Sequence, residues 1–134
     1  MNDKDRSLRL TVAADPSAPA VIHAELRRWL AREGVRGWVV DDLLVSSDEI
    51  CFETILLTGV SRIEVEADMV DGVVRLRIAS DRRQRELRMV PYVTDVEVVD
   101  EIGPELRIVR HVADTLDVRT LPDQTIVELT KAVT

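Results

Sequence analysis

The sequence predicts an α+β protein, a two-layer sandwich whose mixed, mostly antiparallel sheet carries helices on one face. Three observations predict it. Asp71-Gly72 lies between two alternating runs that pair with apolar residues on one side and opposite charges on the other. Two long segments with helical periodicity lie upstream of that hairpin. The elements follow the order strand, helix, helix, strand, strand, helix, strand, strand, and short turns join neighbouring strands.

Leu8, Leu10 and Val12 alternate with Arg9 and Thr11, as in a half-buried strand. Asp15-Pro16 offers a cap and a proline at the first helical position, and the helix to Arg32 carries Ile22, Leu26, Trp29 and Leu30 on one stripe. Gly34 stops it. A second helix is expected from Trp38 to about Thr58, with Leu43, Ile50, Thr54 and Leu57 on one side and Leu44, Cys51 and Ile55 widening it. Gly59 ends this helix.

The Asp71-Gly72 loop then sets a register. Two loop residues pair Val70 with Val73, so Met69 faces Val74, Ala67 faces Leu76 and Val65 faces Ile78. On the other side Asp68 meets Arg75 and Glu66 meets Arg77. After Ser80 comes a basic stretch with Arg82, Arg83, Arg85 and Arg88, expected as a solvated loop or a contact for acidic groups. Residues 91–101 show no helical period and read as a short strand or packed loop. A helix is expected to open at Gly103-Pro104-Glu105, with Leu106, Val109, Val112, Ala113 and Leu116 inward. Val118 to Leu121 and Thr125 to Leu129 form a last hairpin around Pro122-Asp123-Gln124.

Composition narrows the function. A chain of 134 residues reads as one domain, and its 46% hydrophobic and 32% charged content fits a globular protein. With aromatics at 3%, aliphatic residues must fill the core. The formal charge of −7 disfavours nucleic-acid binding and suits partners with basic patches. No apolar run is long enough for a bilayer and no signal-like segment opens the sequence, so a cytoplasmic protein is expected. The single Cys51 excludes an internal disulfide and reads as a small core hydrophobe. His23 and His111 have no second ligand at metal spacing and read as structural.

The stretch DEICFETILL poses the sharpest chemical question. Glu49 and Glu53 stand one helical turn apart within an apolar run. Carboxylates beside a core must be solvated, paired or used. The basic loop of Arg82, Arg83 and Arg85 is one expected counter-charge.

The order of elements, with VVDDLLVSSDEICFETIL and IGPELRIVRHVADTLDVRTLPDQTIVEL, resembles the histidine-kinase-like (Bergerat-fold) ATPase domains of bacterial anti-sigma factors and serine-protein kinases. The resemblance runs from Leu8 to about Leu129. It implies a glutamate that polarises the attacking hydroxyl, which falls on Glu49, and an asparagine that ligates magnesium, which falls on Glu53. It implies an aspartate for the adenine amino group followed by two glycines. Here Ser80 holds the aspartate position, with Asp81 one residue on, and Arg82 and Gln84 replace the glycines. It implies a glycine-rich phosphate turn, which falls on Gly103-Pro104-Glu105. Gly103 matches, Pro104 removes a donor and Glu105 brings negative charge.

Three altered places disfavour ordinary ATP and magnesium binding. The resemblance therefore implies a regulatory protein of the anti-sigma type that binds a sigma factor, a STAS-domain antagonist or both, with the nucleotide site lost or altered and no cofactor expected. A homodimer is a further implication. The alternative is an active serine-protein kinase, with Glu49 as base, Glu53 as metal ligand, and Asp81 and Gly103 at the nucleotide.

Overall fold

The computed structural model describes residues 6–56, 59–81 and 106–133. Within them run β1 (Leu8–Ala13), α1 (Ala18–Arg32), α2 (Trp38–Ile55), β2 (Arg62–Val70), β3 (Val73–Asp81), α3 (Arg107–Val112), β4 (Thr115–Thr120) and β5 (Gln124–Ala132). The strands form one sheet in the order β1-β2-β3-β5-β4. Every neighbouring pair in it is antiparallel, so the mixed component allowed by the sequence is absent from the described residues.

The β2–β3 register is the one that the two-residue loop dictates, from Val70 opposite Val73 to Val65 opposite Ile78. Asp71 and Gly72 both take positive φ, at 53° and 75°, as a tight hairpin with right-handed twist requires. One face of the sheet, with Ile63, Val65, Ala67, Val74, Leu76, Ile78 and Leu129, packs under the helices. From α1 come Ile22, Leu26, Trp29 and Leu30, all fully buried, and from α2 come Leu43, Leu44, Ile50 and Cys51. The Trp29 indole N–H donates to the Arg6 carbonyl at 2.6 Å, which meets its one polar need.

The other face is ionic. Arg9, Glu66, Arg77 and Glu128 lie in one cross-strand row with alternating sign. Arg75 reaches Asp68 at 2.6 Å and Glu128 at 3.8 Å, and Arg119 reaches Asp117 at 2.8 Å. These ion pairs are solvated, and Ala79 and Ile126 are buried beside them on the same face.

Three expectations shift. Helix α1 begins at Ala18, with Ser17 as its cap residue, because the Asp15 carboxylate takes the Ser17 N–H at 2.9 Å and bends the chain before the helix. Pro19 then occupies the first turn in place of Pro16. Helix α2 ends at Ile55, and Leu57 and Thr58 lie outside the described residues. Helix α3 stops at Val112, and Leu116 belongs to β4. Leu116 pairs with Leu129 there, and the β-branched Thr115, Val118 and Thr120 favour the strand.

No helix among the described residues is long and apolar enough to cross a membrane. Cys51 is fully buried, and burial pushes its thiol up to about 12, against a small opposing effect of the Ser47 hydroxyl and with the Asp48 charge. A thiol this protonated is a poor nucleophile. A disulfide-exchange reagent at pH 8 is therefore expected to leave the folded protein unlabelled and to titrate one thiol in denaturant. Rapid labelling of the native state would return Cys51 to the list of reactive groups.

Candidate functional site

At one end of the sheet a single row crosses all five strands on the helix side: Val12, Ile63, Ser80, Thr125 and Thr120. Ser80 and Thr125 are buried at 4% exposure each. Among the described residues, the hydroxyls of Thr120, Thr125 and, on α2, Ser46 and Ser47 have no hydrogen-bond partner. Ser80 thus stands on the helix side where the resemblance puts an aspartate, but it brings a neutral hydroxyl.

Asp81 is turned the other way. Side chains alternate along a strand, so a slip of one residue moves a group to the opposite face. Its carboxylate accepts the N–H of Ser61 at 2.9 Å, the N–H of Arg62 at 2.8 Å and the Ser61 hydroxyl. Partial desolvation works against its charge. The Ser61 hydroxyl and the two N–H groups outweigh that and hold the carboxyl below its ordinary value. The structure does not bring Asp81 to Glu49. It uses Asp81 to pin the start of β2 to the end of β3.

Glu49 is engaged on the helix side. Its carboxylate accepts the N–H of Val109 at 2.9 Å and the N–H of Ile108 at 3.2 Å, two of the free donors in the first turn of α3. It is a cap supplied from another helix, with its charge at the positive end of the α3 dipole. The opposite end is also held. Lys131 Nζ donates to the Val112 carbonyl at 2.6 Å and pairs with Asp42 of α2 at 3.3 Å. Asp42 and Glu49 are two helical turns apart, about 10 Å, and a six-residue helix has about that length. Helix α3 is clamped along α2 at both ends.

Glu53, one turn beyond Glu49, is half-buried. Gly103, Ser80's neighbours Arg82 to Gln84, and the whole arginine loop and phosphate-turn segment lie outside the described residues. The counter-charge expected for Glu49 from that loop is thus not described, and backbone amides are the partners observed. His23 has a structural contact: its Nδ1 lies 3.1 Å from both Asp48 oxygens, joining α1 to α2. Among the described residues no group of three or more His, Cys, Asp or Glu side chains is arranged to hold a metal.

The sequence marked Glu49 and Glu53 but missed Asp42, Lys131 and the hydroxyl row. Asp42 to Glu49 is a heptad spacing, legible as one helix face. Its partners, from 59 to 89 positions away, carry no local signal.

No protein-family model matches this chain, and no curated protein matches it in sequence. Solved structures do match in fold. One is the crystal structure of the RsbU and RsbW domains of Rv1364c from Mycobacterium tuberculosis, with a TM-score of 0.66 and 17% identity over 95% of this chain. This chain spans about a third of that one, at 32%. Another is the SiaB-SiaC complex from Pseudomonas aeruginosa, with a TM-score of 0.54 and 13% identity over 98% of this chain and 92% of that one. The chain has the two-layer histidine-kinase-like fold, with its helices on one side of an antiparallel sheet.

Two outcomes follow from the clamp and the pin. Glu49→Ala is expected to lose about 1–2 kcal/mol in urea denaturation, the range for a removed cap, while Glu49→Gln keeps an acceptor and loses less. Equal stability of all three proteins would remove the cap. Asp81 has a folded pKa below its unfolded value, so its contribution is complete above about pH 4 and falls away as pH drops through the folded pKa. Asp81→Asn is expected to flatten the stability profile below pH 4. An unchanged acid limb would show that the Ser61 and Arg62 contacts carry no net energy.

Proposed function

We propose that this chain is a regulatory protein-binding module of the anti-sigma, partner-switching type in which ordinary handling of ATP and magnesium is lost. The observation that carries this reading is the Glu49 clamp. The carboxylate at the position of the base is spent on the Ile108 and Val109 amides, so an internal anion occupies donors at the helix start that follows the phosphate turn. Ser80 supports it, as a neutral group at the adenine position. So does Asp81, whose carboxylate is committed on the opposite face. These commitments of Glu49 and Asp81 support the reading without nucleotide, and no phosphoryl-transfer step is assigned to the described residues.

The likeness to a chain that holds RsbU and RsbW domains and to a chain of the SiaB-SiaC complex supports a fold that works through protein partners. The partners that the resemblance implies are a sigma factor, a STAS-domain protein or both. Calorimetric titration with ATP and ADP in the presence of magnesium is expected to show no binding in the micromolar range. Micromolar binding would restore the kinase reading. In that case Glu49→Gln should retain nucleotide and lose transfer to a STAS-domain substrate.

A further inference from the structure

Helix α2 has a third face that neither the core nor the α3 clamp uses. Trp38, Val45, Phe52 and Leu56 fall within a narrow sector of the helical wheel, and they are 85%, 37%, 58% and 79% exposed. The stripe is about 27 Å long at 1.5 Å per residue. Acidic residues flank it on both sides: Asp41 and Asp48 along one edge, Asp48 also beside His23, and Asp42, Glu49 and Glu53 along the other, where Asp42 and Glu49 also hold Lys131 and the α3 amides. From Trp38 to Ile55 the helix contains no Lys, Arg or His. Beside Phe52 the stripe opens into a depression of about 410 Å³ lined by Pro16, Pro19, Ala20, His23 and Asp48.

An aromatic residue at 58% exposure and a tryptophan at 85% are costly to leave in water, and together they form a patch of the kind that marks an interaction surface. The charges decide what covers it. A second copy laid along the stripe, in either direction, sets acidic rows against acidic rows. An anionic bilayer meets the same repulsion. A helix with an apolar stripe flanked by lysine or arginine satisfies both features at once.

We infer that the outer face of α2 is a docking surface for an amphipathic helix of a protein partner whose apolar stripe is bordered by basic side chains. Trp38, Phe52 and Leu56 contribute the apolar contact, and Asp41 and Asp48 set the direction of charge. The inference goes beyond the partner-switching reading, because it concerns apolar side chains of α2 that take no part in Glu49's amide contacts, and it holds whether or not nucleotide binds.

The probe is a synthetic 18-residue helical peptide with a leucine stripe bordered by lysines, titrated into the full chain. Trp29 is 1% exposed, so a blue shift of tryptophan emission reports Trp38. A saturable shift is expected, weakened at least tenfold by Phe52→Ala with Leu56→Ala and several-fold by Asp41→Lys. All three positions are exposed, and circular dichroism checks that the variants stay folded. Salt should weaken the interaction, and the same peptide with glutamates in place of lysines should give no shift. No shift with the lysine peptide, equal binding of both peptides, or equal binding by the variants would each overturn the proposal. So would sedimentation showing that the chain alone is a dimer that Phe52→Ala and Leu56→Ala dissociate. Vesicles of anionic lipid that shift Trp38 where the peptide does not would assign the face to a membrane surface instead.

Discussion

The pairing of α2 with α3 governs the helix layer. Six residues are far too few for a helix to persist alone, because nucleation costs more than one turn of hydrogen bonds returns. Helix α3 exists because both of its ends are satisfied from outside, by Glu49 at the amides and by Lys131 at the carbonyl. Leu106 and Val109, which bracket its first turn, are fully buried beneath α2 and complete the core. Packing and capping are thus one device. The polar contacts fix where α3 lies along α2, and the apolar ones hold it there.

The same device explains how acidic residues are tolerated on a helix buried over much of its surface. Asp42 meets Lys131, Glu49 meets backbone N–H groups, and Asp48 meets His23. Each carboxylate reaches a different neighbour, β5, α3 and α1 in turn. Charge on α2 acts as mortar between elements that hydrophobic contact alone would leave free to slide. A carboxylate of the chain thus takes amides at the start of α3.

Local rules made much of this fold legible in advance. The β2–β3 register follows from a two-residue loop, since no other pairing keeps Val65, Ala67 and Met69 on one face and matches Asp68 to Arg75. The stripe of Ile22, Leu26, Trp29 and Leu30 follows from helical period alone. What stayed hidden depends on distance along the chain. The insertion of β5 between β3 and β4 is a pairing choice made by contacts across the whole sheet. The face of Asp81 turned on a single step of strand alternation. The apolar spacing through Leu116 suits a helix as well as a strand, and pairing with Leu129 decided between them. For the site, Glu49 was visible as an acid on an apolar helix. Its partners were invisible, because backbone amides leave no mark in a sequence.

The Glu49 contacts to Ile108 and Val109 also join positions 59 and 60 residues apart. Closing so long a span has an entropic cost that must be met before its contacts give anything back, whereas the β2–β3 hairpin within that span closes over two residues. The hairpin and the α1–α2 pair have the shorter spans, and the α3 caps are among the contacts whose formation costs most in chain entropy. Contacts absent from the folding transition state mainly set how fast a protein comes apart, and for a carboxylate at position 49 that closes so long a span this would make it a latch on the lifetime of the folded state.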